Sequence, residues 1–196
     1  IKNWHSTGLY ACAGIPITVK YLGNSNFFEK IKIRIGCHTD LLYHLEEWPR
    51  APEITTEVAM TSTFIQVANM FGGLIYLVVP EEDDDEDDEK EHGLQTFCIE
   101  NAILAPYYIA GKTTKQEWIS KIRDYPAPFA ELAHDNVILS VPSSSIRKLD
   151  DPLPALNVYN KALGYIAELG GVCRHANCPV RYVCDIEIEG GYMHCG

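Results

Sequence analysis

The longest uninterrupted apolar run of the chain, residues 71–80, predicts a buried β-strand. After Phe71 come Gly72 and Gly73, then six apolar or aromatic side chains without a charge, and the run ends at Pro80, which has no N–H to donate to a sheet. Glycine allows close backbone approach, either by a neighbouring segment of the chain, which is the favoured interpretation, or by a substrate lying along the sheet. Gly72, Gly73 and Tyr76 are therefore candidate cleft-lining residues.

Alternation of apolar and polar residues predicts strands on both sides of this run. In residues 29–37, isoleucine at every second position alternates with lysine and arginine, and residues 15–22 form an extended segment just before them. We expect these two segments to form a hairpin. We also expect residues 94–105 to pair with residues 71–80 as an antiparallel strand. Further extended segments are predicted at 54–60, 64–67, 136–142 and 181–189.

Helical signals follow later in the chain. Thr114, with Glu117 three residues on, is a capping box, and Asp151 before Pro152 is typical of a helix N-terminus. Apolar residues spaced three and four apart then form one helical face: Leu156, Tyr159, Leu163 and Ile166. A Gly-Gly pair after residue 169 ends this second helix.

These elements predict an α+β fold with a β-rich, sandwich-like front part followed by helices. The front part covers residues 1–150, and a helix and a strand occupy residues 151–196. Residues 41–48 are predicted to be a short helical or irregular piece, and residues 125–132 a proline-bounded link.

Residues 81–92 hold most of the negative charge. Ten carboxylates and one lysine give residues 81–91 a net charge of −9, so the rest of the chain carries only −2 of the total of −11. Such a run predicts a solvated, mobile loop, with binding of calcium or of a basic partner as the alternative. The remainder has no basic face for nucleic acid, and no apolar stretch approaches the roughly 20 residues of a membrane span. We expect neither nucleic-acid binding nor a transmembrane segment.

The seven cysteines do not fix the compartment, because their number is odd and the sequence has no Asn-x-Ser/Thr glycosylation acceptor. Four residues late in the chain are weak candidates for a zinc site: Cys173, His175, Cys178 and Cys184. Their spacing fits no common zinc module, so disulfides among the cysteines, or buried thiols, are the favoured interpretation.

The sequence contains no complete catalytic motif, because it lacks His-Glu-x-x-His, a glycine-rich phosphate loop and a nucleophile elbow. His38 and Asp40, directly after the 29–37 strand, could be an acid–base or ligand pair at a sheet edge. In the structural alternative, Thr39 and Asp40 cap the next turn and the imidazole of His38 bonds a backbone carbonyl. Tyr107 and Tyr108 could line a groove or belong to a core.

Several phrases of the sequence, taken together and in order, resemble one family. They are His-Ser-Thr-Gly-Leu-Tyr at 5–10, Ile-Gly-Cys-His-Thr-Asp at 35–40, Gly-Gly-Leu-Ile-Tyr at 72–76, Ala-Pro-Tyr-Tyr-Ile-Ala-Gly-Lys-Thr-Thr at 105–114, Glu-Leu-Ala-His-Asp-Asn-Val-Ile-Leu-Ser-Val-Pro at 131–142 and Gly-Gly-Tyr-Met-His-Cys-Gly at 190–196. The chain is similar, nearly end to end, to the enhancin-like, mucin-directed metallopeptidase domain, and most closely to its animal branch, the TRP-channel-associated factors.

The resemblance implies that the chain is the N-terminal part of a zinc metallopeptidase-like domain that acts on glycosylated, mucin-type proteins. In that family the zinc site, His-Glu-x-x-Gly-His or a variant, lies on a helix beyond the last residue of this sequence. Zinc is therefore expected for the complete domain, with no ligand or general base in this chain. The chain is expected to pack against the missing C-terminal part and to be inactive without it. The acidic run and the late cysteines depart from the family pattern.

A second interpretation is a non-catalytic pseudo-peptidase that serves as a binding or regulatory platform for a membrane channel or another protein partner. An intact His-Glu-x-x-His in the following sequence would favour the enzyme, and its loss would favour the platform. A self-standing carbohydrate-binding β-sandwich is the third. A channel-associated platform implies a cytoplasmic or membrane-associated protein, whereas a mucin-directed peptidase implies an extracellular one.

Overall fold

The computed structural model describes residues 3–79, 94–171 and 179–188. The chain divides into two compact units, of which unit 1 contains Ile1–Gly36 and Ile54–Ile103, and unit 2 contains Cys37–Glu53 and Leu104–Gly196. The boundary predicted near residue 150 falls inside unit 2. The predicted acidic loop at 81–92 lies outside the described residues, as do three of the candidate zinc ligands, Cys173, His175 and Cys178.

Unit 1 is built from two β-sheets whose apolar side chains share one core. Its strands are β1 (Asn3–Ala11), β2 (Ile17–Tyr21), β3 (Lys32–Ile35), β4 (Thr56–Ala59), β5 (Phe64–Val67), β6 (Gly73–Val79), β7 (Phe97–Glu100) and β8 (Ile103–Leu104). The division between the two units falls within β8, after Ile103. The strand orders are β4-β3-β6-β1-β8 and β5-β2-β7. Val19 from one sheet and Ile33 and Ile75 from the other are at most 1% exposed. This arrangement is the sandwich-like front part of the predicted α+β fold.

Strand β6 is the buried strand that the apolar run predicts. Four of its seven residues are buried, and it lies between β1 and β3, both antiparallel to it. Because both of its edges are hydrogen-bonded, β6 has no edge left for residues 94–105. Strand β7 pairs instead with β2, with Val19 opposite Ile99. The predicted pairing of residues 71–80 with 94–105 is therefore wrong.

The hairpin predicted from residues 15–22 and 29–37 is also wrong, because β2 and β3 belong to different sheets. Between them the chain forms a 3-10 helix, Asn26–Lys30, whose N-cap Ser25 accepts a hydrogen bond from the backbone N–H of Phe27 and which buries Phe28. This short helix redirects the chain from one sheet to the other. Alternation within each strand does not report such a change of direction.

Unit 2 is a four-stranded sheet with helices. Its elements are β9 (Tyr107–Ile109), α1 (Lys115–Ser120), β10 (Phe129–His134), β11 (Val137–Pro142), α2 (Ser143–Ile146), α3 (Leu153–Leu169) and β12 (Val180–Val183). The strand order is β12-β11-β10-β9, with β10 and β11 antiparallel and both outer pairs parallel. Trp118, Leu132 and Leu156 lie in its core at 0–4% exposure. Within the described residues, no helix combines the length and the apolar character that a membrane span requires.

The predicted helix starts in unit 2 are confirmed. Thr114 Oγ1 accepts from the N–H of Glu117 at 3.2 Å, and the Glu117 carboxylate accepts from the N–H of Thr114 at 3.0 Å, which completes the capping box of α1. At α3, Asp151 Oδ1 accepts from the N–H of Leu153 at 3.1 Å. The helix ends at Leu169, followed by the predicted Gly-Gly pair.

Two predicted boundaries need correction in unit 2. The link predicted at 125–132 ends earlier, because β10 begins at Phe129, directly after Pro128. The strand predicted at 181–189 ends at Val183, where the chain turns. There the N–H of Ile186 donates to Asp185 Oδ1 at 2.7 Å, a local side-chain bond that competes with sheet pairing.

Candidate functional site

Arg50 is the centre of a buried hydrogen-bond network in unit 2. Its Nε lies 3.0 Å and 2.9 Å from the two carboxylate oxygens of Asp185, and its Nη2 lies 2.6 Å from Oδ2. The remaining N–H groups donate to the backbone carbonyls of Asp40, Ala51 and Pro52. The side chains of Arg50 and Asp185 are only 9% and 6% exposed. A buried, bidentate ion pair with satisfied donors fixes the local geometry of the chain.

His38 lies beside this ion pair. Burial is the largest influence on its imidazole and lowers the pKa below the ordinary value, against the opposing effects of the Asp185 charge and of a backbone hydrogen bond to Cys184. The His38 ring meets the ring of Phe129 edge-on, with 5.4 Å between the centroids. The imidazole is thus neutral near pH 7 and is held by these neighbours.

The structure brings Asp40 into the same network as His38. The backbone carbonyl of Asp40 accepts from Arg50 Nη2 at 3.2 Å, and the residue is 9% exposed. Cys37 Sγ lies 3.8 Å from His38 Nδ1, but Cys37 is 2% exposed, so a substrate cannot reach the sulfur. Within this cluster, Arg50 makes the largest number of hydrogen bonds described above.

A second buried ion pair crosses the sheet of unit 2. Glu131 on β10 is 2% exposed, and its Oε1 accepts from Arg181 Nη1 on β12 and from Ser140 Oγ on β11, the latter at 3.1 Å. The three side chains come from three adjacent strands. The pair ties the strands together on one face of the sheet.

In unit 1, the glycines at the start of β6 are approached by the chain itself. A Cβ on Gly72, which has φ +70°, would lie 2.7 Å from the carbonyl oxygen of Ala11. A Cβ on Gly73 would lie 2.5 Å from the backbone nitrogen of Gly36. These distances are shorter than real Cβ contacts, so only glycine fits at either position.

The tyrosines proposed as cleft-lining residues have different surroundings. Tyr76 is fully buried in unit 1, with 5.5 Å between its ring centroid and that of Trp4. Tyr108 is 3% exposed in unit 2 and packs edge-on against Trp118 at 5.5 Å. Both are core residues of their units. Tyr107 points to the opposite face of β9 and is half-buried.

The structure offers no metal-binding cluster in residues 3–79, 94–171 and 179–188, where no group of three or more His, Cys, Asp or Glu side chains could hold an ion. Cys184, the single candidate zinc ligand within these ranges, is exposed and forms no disulfide. The described residues therefore do not fit a zinc site.

Arg50, Asp185, Glu131 and Arg181 were not among the candidates that the sequence suggests. Arg50 and Asp185 are separated by 135 positions, and Glu131 and Arg181 by 50. No local pattern links residues that far apart. The sequence does contain one signal for Glu131, which is a single carboxylate among the apolar residues of Phe-Ala-Glu-Leu-Ala. This signal becomes informative only once the segment is recognised as a strand.

Two family models together match almost the entire chain. The N-terminal domain of M60-like peptidases matches residues 1–88, and Peptidase M60, enhancin and enhancin-like, matches residues 101–196. The chain belongs to the M60-like peptidase family. M60 peptidases are zinc metallopeptidases. The match to the M60-like N-terminal domain includes residues 37–53, which the structure places in unit 2.

Curated relatives of this M60-like chain are animal proteins. It is 37% identical over 193 residues to TRPM8 channel-associated factor 2 from Bos taurus and 34% identical over 193 residues to TRPM8 channel-associated factor 1 from Homo sapiens. Both alignments cover 98% of this chain and 20% of the relative. The chain thus spans about a fifth of the length of these relatives.

Solved structures with the same fold include M60 catalytic domains from bacteria. The catalytic module of the metalloprotease ZmpA from Clostridium perfringens superposes with a TM-score of 0.60 at 14% identity, covering 92% of this chain and 39% of that one. The M60 catalytic domain of ZmpC from the same organism, in complex with the sialyl T antigen, gives 0.63 at 11% identity, with 97% and 41% covered. A metallopeptidase in complex with Tn antigen gives 0.67 at 11% identity, with 90% and 32% covered. At these identities the likeness establishes the fold alone.

Proposed function

We propose that this chain is the N-terminal portion of a zinc metallopeptidase domain in a longer protein that cleaves glycosylated, mucin-type proteins. The observation that carries the proposal is the match to two M60-like family models in succession, at residues 1–88 and 101–196, on a fold shared with M60 catalytic modules. Two structures with this fold, an M60 catalytic domain in complex with the sialyl T antigen and a metallopeptidase in complex with Tn antigen, support a glycosylated substrate.

In this proposal the chain supplies structure rather than catalytic groups. The bound zinc of the complete domain would activate a water molecule for attack on the peptide bond. The residues of this chain hold the framework around that site through the buried pairs of Arg50 with Asp185 and of Arg181 with Glu131. Of the three tyrosines predicted to line a cleft, Tyr76 and Tyr108 are core residues, whereas Tyr107 is half-buried and is the candidate that we retain. The C-terminal part of the same domain is the partner that supplies the zinc ligands.

The test is cleavage by the longer protein. It is incubated with a mucin-type O-glycopeptide and with the same peptide lacking the glycan, each with and without a zinc chelator, and products are read by mass spectrometry. We expect cleavage of the glycopeptide that the chelator abolishes, and no cleavage by this 196-residue chain with zinc added. Failure of the zinc-loaded longer protein to cleave the glycopeptide would reject the peptidase function. Cleavage by the short chain would reject the assignment of the chemistry to the missing part.

A second candidate function is a binding or regulatory platform for a membrane channel. The identities of 33–37% to TRPM8 channel-associated factors, against 11–16% to M60 peptidases from Clostridium perfringens, favour it. Co-purification of the longer protein with TRPM8, from cells that express both, is the expected result for a platform. A protein that binds the channel and holds no zinc would be a platform only. One that cleaves glycopeptides and does not bind the channel would be a peptidase only.

A further inference from the structure

Helix α3 has apolar residues on two opposite faces. Successive residues of an α-helix are about 100° apart, so residues spaced three or four positions apart share a face. Leu153, Leu156 and Leu163 lie on the face that packs on the core of unit 2. Val158, Tyr165 and their neighbours on the far side form a second apolar face.

We name this second face the outer stripe, which consists of Val158, Ala162, Tyr165 and Leu169. The spacings are four, three and four residues, which aligns the side chains in one row along the helix. Val158 is 67% exposed, Tyr165 61% and Leu169 89%, and Ala162 is also exposed. Ile166, next to the row, is 63% exposed. A continuous apolar row of this length on a surface is typical of an interface.

The polar residues of α3 are too few for a solvated outer face. Lys161 and Glu168 are its only charged residues among 17, and both lie to one side of the outer stripe. A surface helix normally carries charged and polar residues opposite its core face, whereas a helix that is apolar on both sides is normally buried on both sides. The sequence of α3 is therefore that of an interior helix, while none of the residues in 3–79, 94–171 and 179–188 covers its outer stripe.

We propose that the outer stripe of α3 is the docking surface for an apolar helix from the remaining part of the peptidase domain. Helices pack against each other through rows of side chains that are three or four residues apart in the sequence. The small Ala162, between larger side chains, leaves room for a side chain of the partner helix. This proposal rests on the proposed function, because it takes its partner from the longer protein.

The extent of the related structures supports this choice of occupant. The chain covers 39% of the ZmpA catalytic module and 41% of the ZmpC catalytic domain. More than half of each of those single domains thus lies outside the part that this chain matches. A part of that size must pack against the matched part over an apolar surface, and the outer stripe is such a surface.

Cysteine labelling of the longer protein tests the proposal. Val158→Cys and Leu169→Cys place a thiol in the outer stripe, and Lys161→Cys places one on the charged side of the same helix as the matched control. Peptide mass spectrometry reads maleimide labelling at each site. We expect positions 158 and 169 to label at least about tenfold more slowly than position 161. Labelling of all three positions at the same rate would overturn the proposal.

A second copy of the protein is the competing occupant. Protection at 158 and 169 that disappears when the protein is diluted to monomer would assign the stripe to a dimer and overturn the proposal. Should a cysteine variant not fold, hydroxyl-radical modification of the native Tyr165 gives the same information, with the equally exposed Tyr43 as reference. We expect Tyr165 to be modified several-fold less than Tyr43, and equal modification counts against docking.

The outcome is separable from that of the proposed function. If the outer stripe is protected in a protein that cleaves no glycopeptide, the docking proposal stands and the proposed peptidase function is rejected. If a protein cleaves the glycopeptide while its outer stripe is labelled as fast as position 161, the peptidase function stands and the docking proposal is rejected.

Discussion

Arg50 and Asp185 are 135 residues apart in the sequence, and Arg50 Nε and Nη2 hold both carboxylate oxygens of Asp185 at distances of 2.6–3.0 Å. Burial alone would raise the pKa of Asp185, but the hydrogen bonds and the charge of Arg50 and the hydrogen bond from the N–H of Ile186 outweigh it, so this pKa lies below its ordinary value. The carboxylate is therefore charged at any pH near neutrality. The pair joins the irregular 37–53 segment to the residues that follow β12.

Replacement of Arg50 by methionine is expected to destabilise the chain strongly, because it leaves the Asp185 carboxylate buried without its partner. For a buried ion pair, the loss of one member costs about 3–5 kcal/mol in the free energy of unfolding. Urea denaturation followed by circular dichroism measures it. The double variant Arg50→Met with Asp185→Leu is expected to recover part of the loss, since no unpaired charge remains.

The pair of Lys20 with Glu100 is the matched control. Its shortest N–O distance is also 2.6 Å, but the side chains are 40% and 48% exposed. Lys20→Met is expected to leave the urea midpoint unchanged, because solvent screens an exposed pair. Equal losses in Arg50→Met and Lys20→Met would show that burial is not what makes the Arg50 pair important.

Stability is expected to fall as the pH is lowered below the ordinary histidine pKa. Burial lowers the pKa of His38 from 6.5 in the folded chain, so between the two values the unfolded chain binds a proton that the folded chain does not. Stability therefore rises with pH across this window and is lost as pH falls through the folded pKa. Burial also lowers the pKa of His5 in unit 1, which adds in the same direction.

The contribution of His38 is isolated with His38→Gln, which keeps a hydrogen-bonding side chain but does not titrate. Urea midpoints measured between about pH 7.5 and pH 5 are expected to decline less in this variant than in the unchanged protein. A variant whose midpoints decline as steeply as before would show that His38 does not carry the dependence.

Gly73→Ala is expected to destabilise unit 1. The new Cβ would lie 2.5 Å from the nitrogen and 2.7 Å from the Cα of Gly36, and backbone atoms cannot move aside without disturbing β3 and β6. We expect a loss of about 1–3 kcal/mol in the free energy of unfolding. Gly164→Ala on α3 is the control, because nothing lies within 4 Å of its Cβ position. It is expected to stabilise the chain by about 0.5–1 kcal/mol, so opposite shifts in urea midpoint are predicted.

Local features of the fold could be predicted from the sequence. The capping box at Thr114, the start of α3 after Asp151 and the buried strand β6 each depend on residues close together in the chain. Strand β1 was not predicted, because its alternation is broken where the register shifts between Ser6 and Tyr10. Gly8, with φ +70°, lies within this irregularity.

Strand pairing and the polar clusters could not be predicted, because they depend on contacts between distant residues. The 3-10 helix that buries Phe28 sends β3 to a different sheet from β2, and nothing in either strand indicates this. His38 was singled out because it follows a strand, whereas Arg50, which organises its surroundings, lies between two prolines in a segment without periodicity. A sequence pattern identifies polar residues that are unusual locally, and Arg50 is not.

Zinc content of the longer protein tests most directly the claim that this chain belongs to a zinc metallopeptidase and carries none of its ligands. It is measured by elemental mass spectrometry on the unchanged protein and on a variant that combines His38→Gln with Cys173→Ser, His175→Ala, Cys178→Ser and Cys184→Ser. We predict about one zinc ion per chain in both proteins, as expected for one catalytic site. A longer protein that binds no zinc, or a variant that loses it, would contradict the claim.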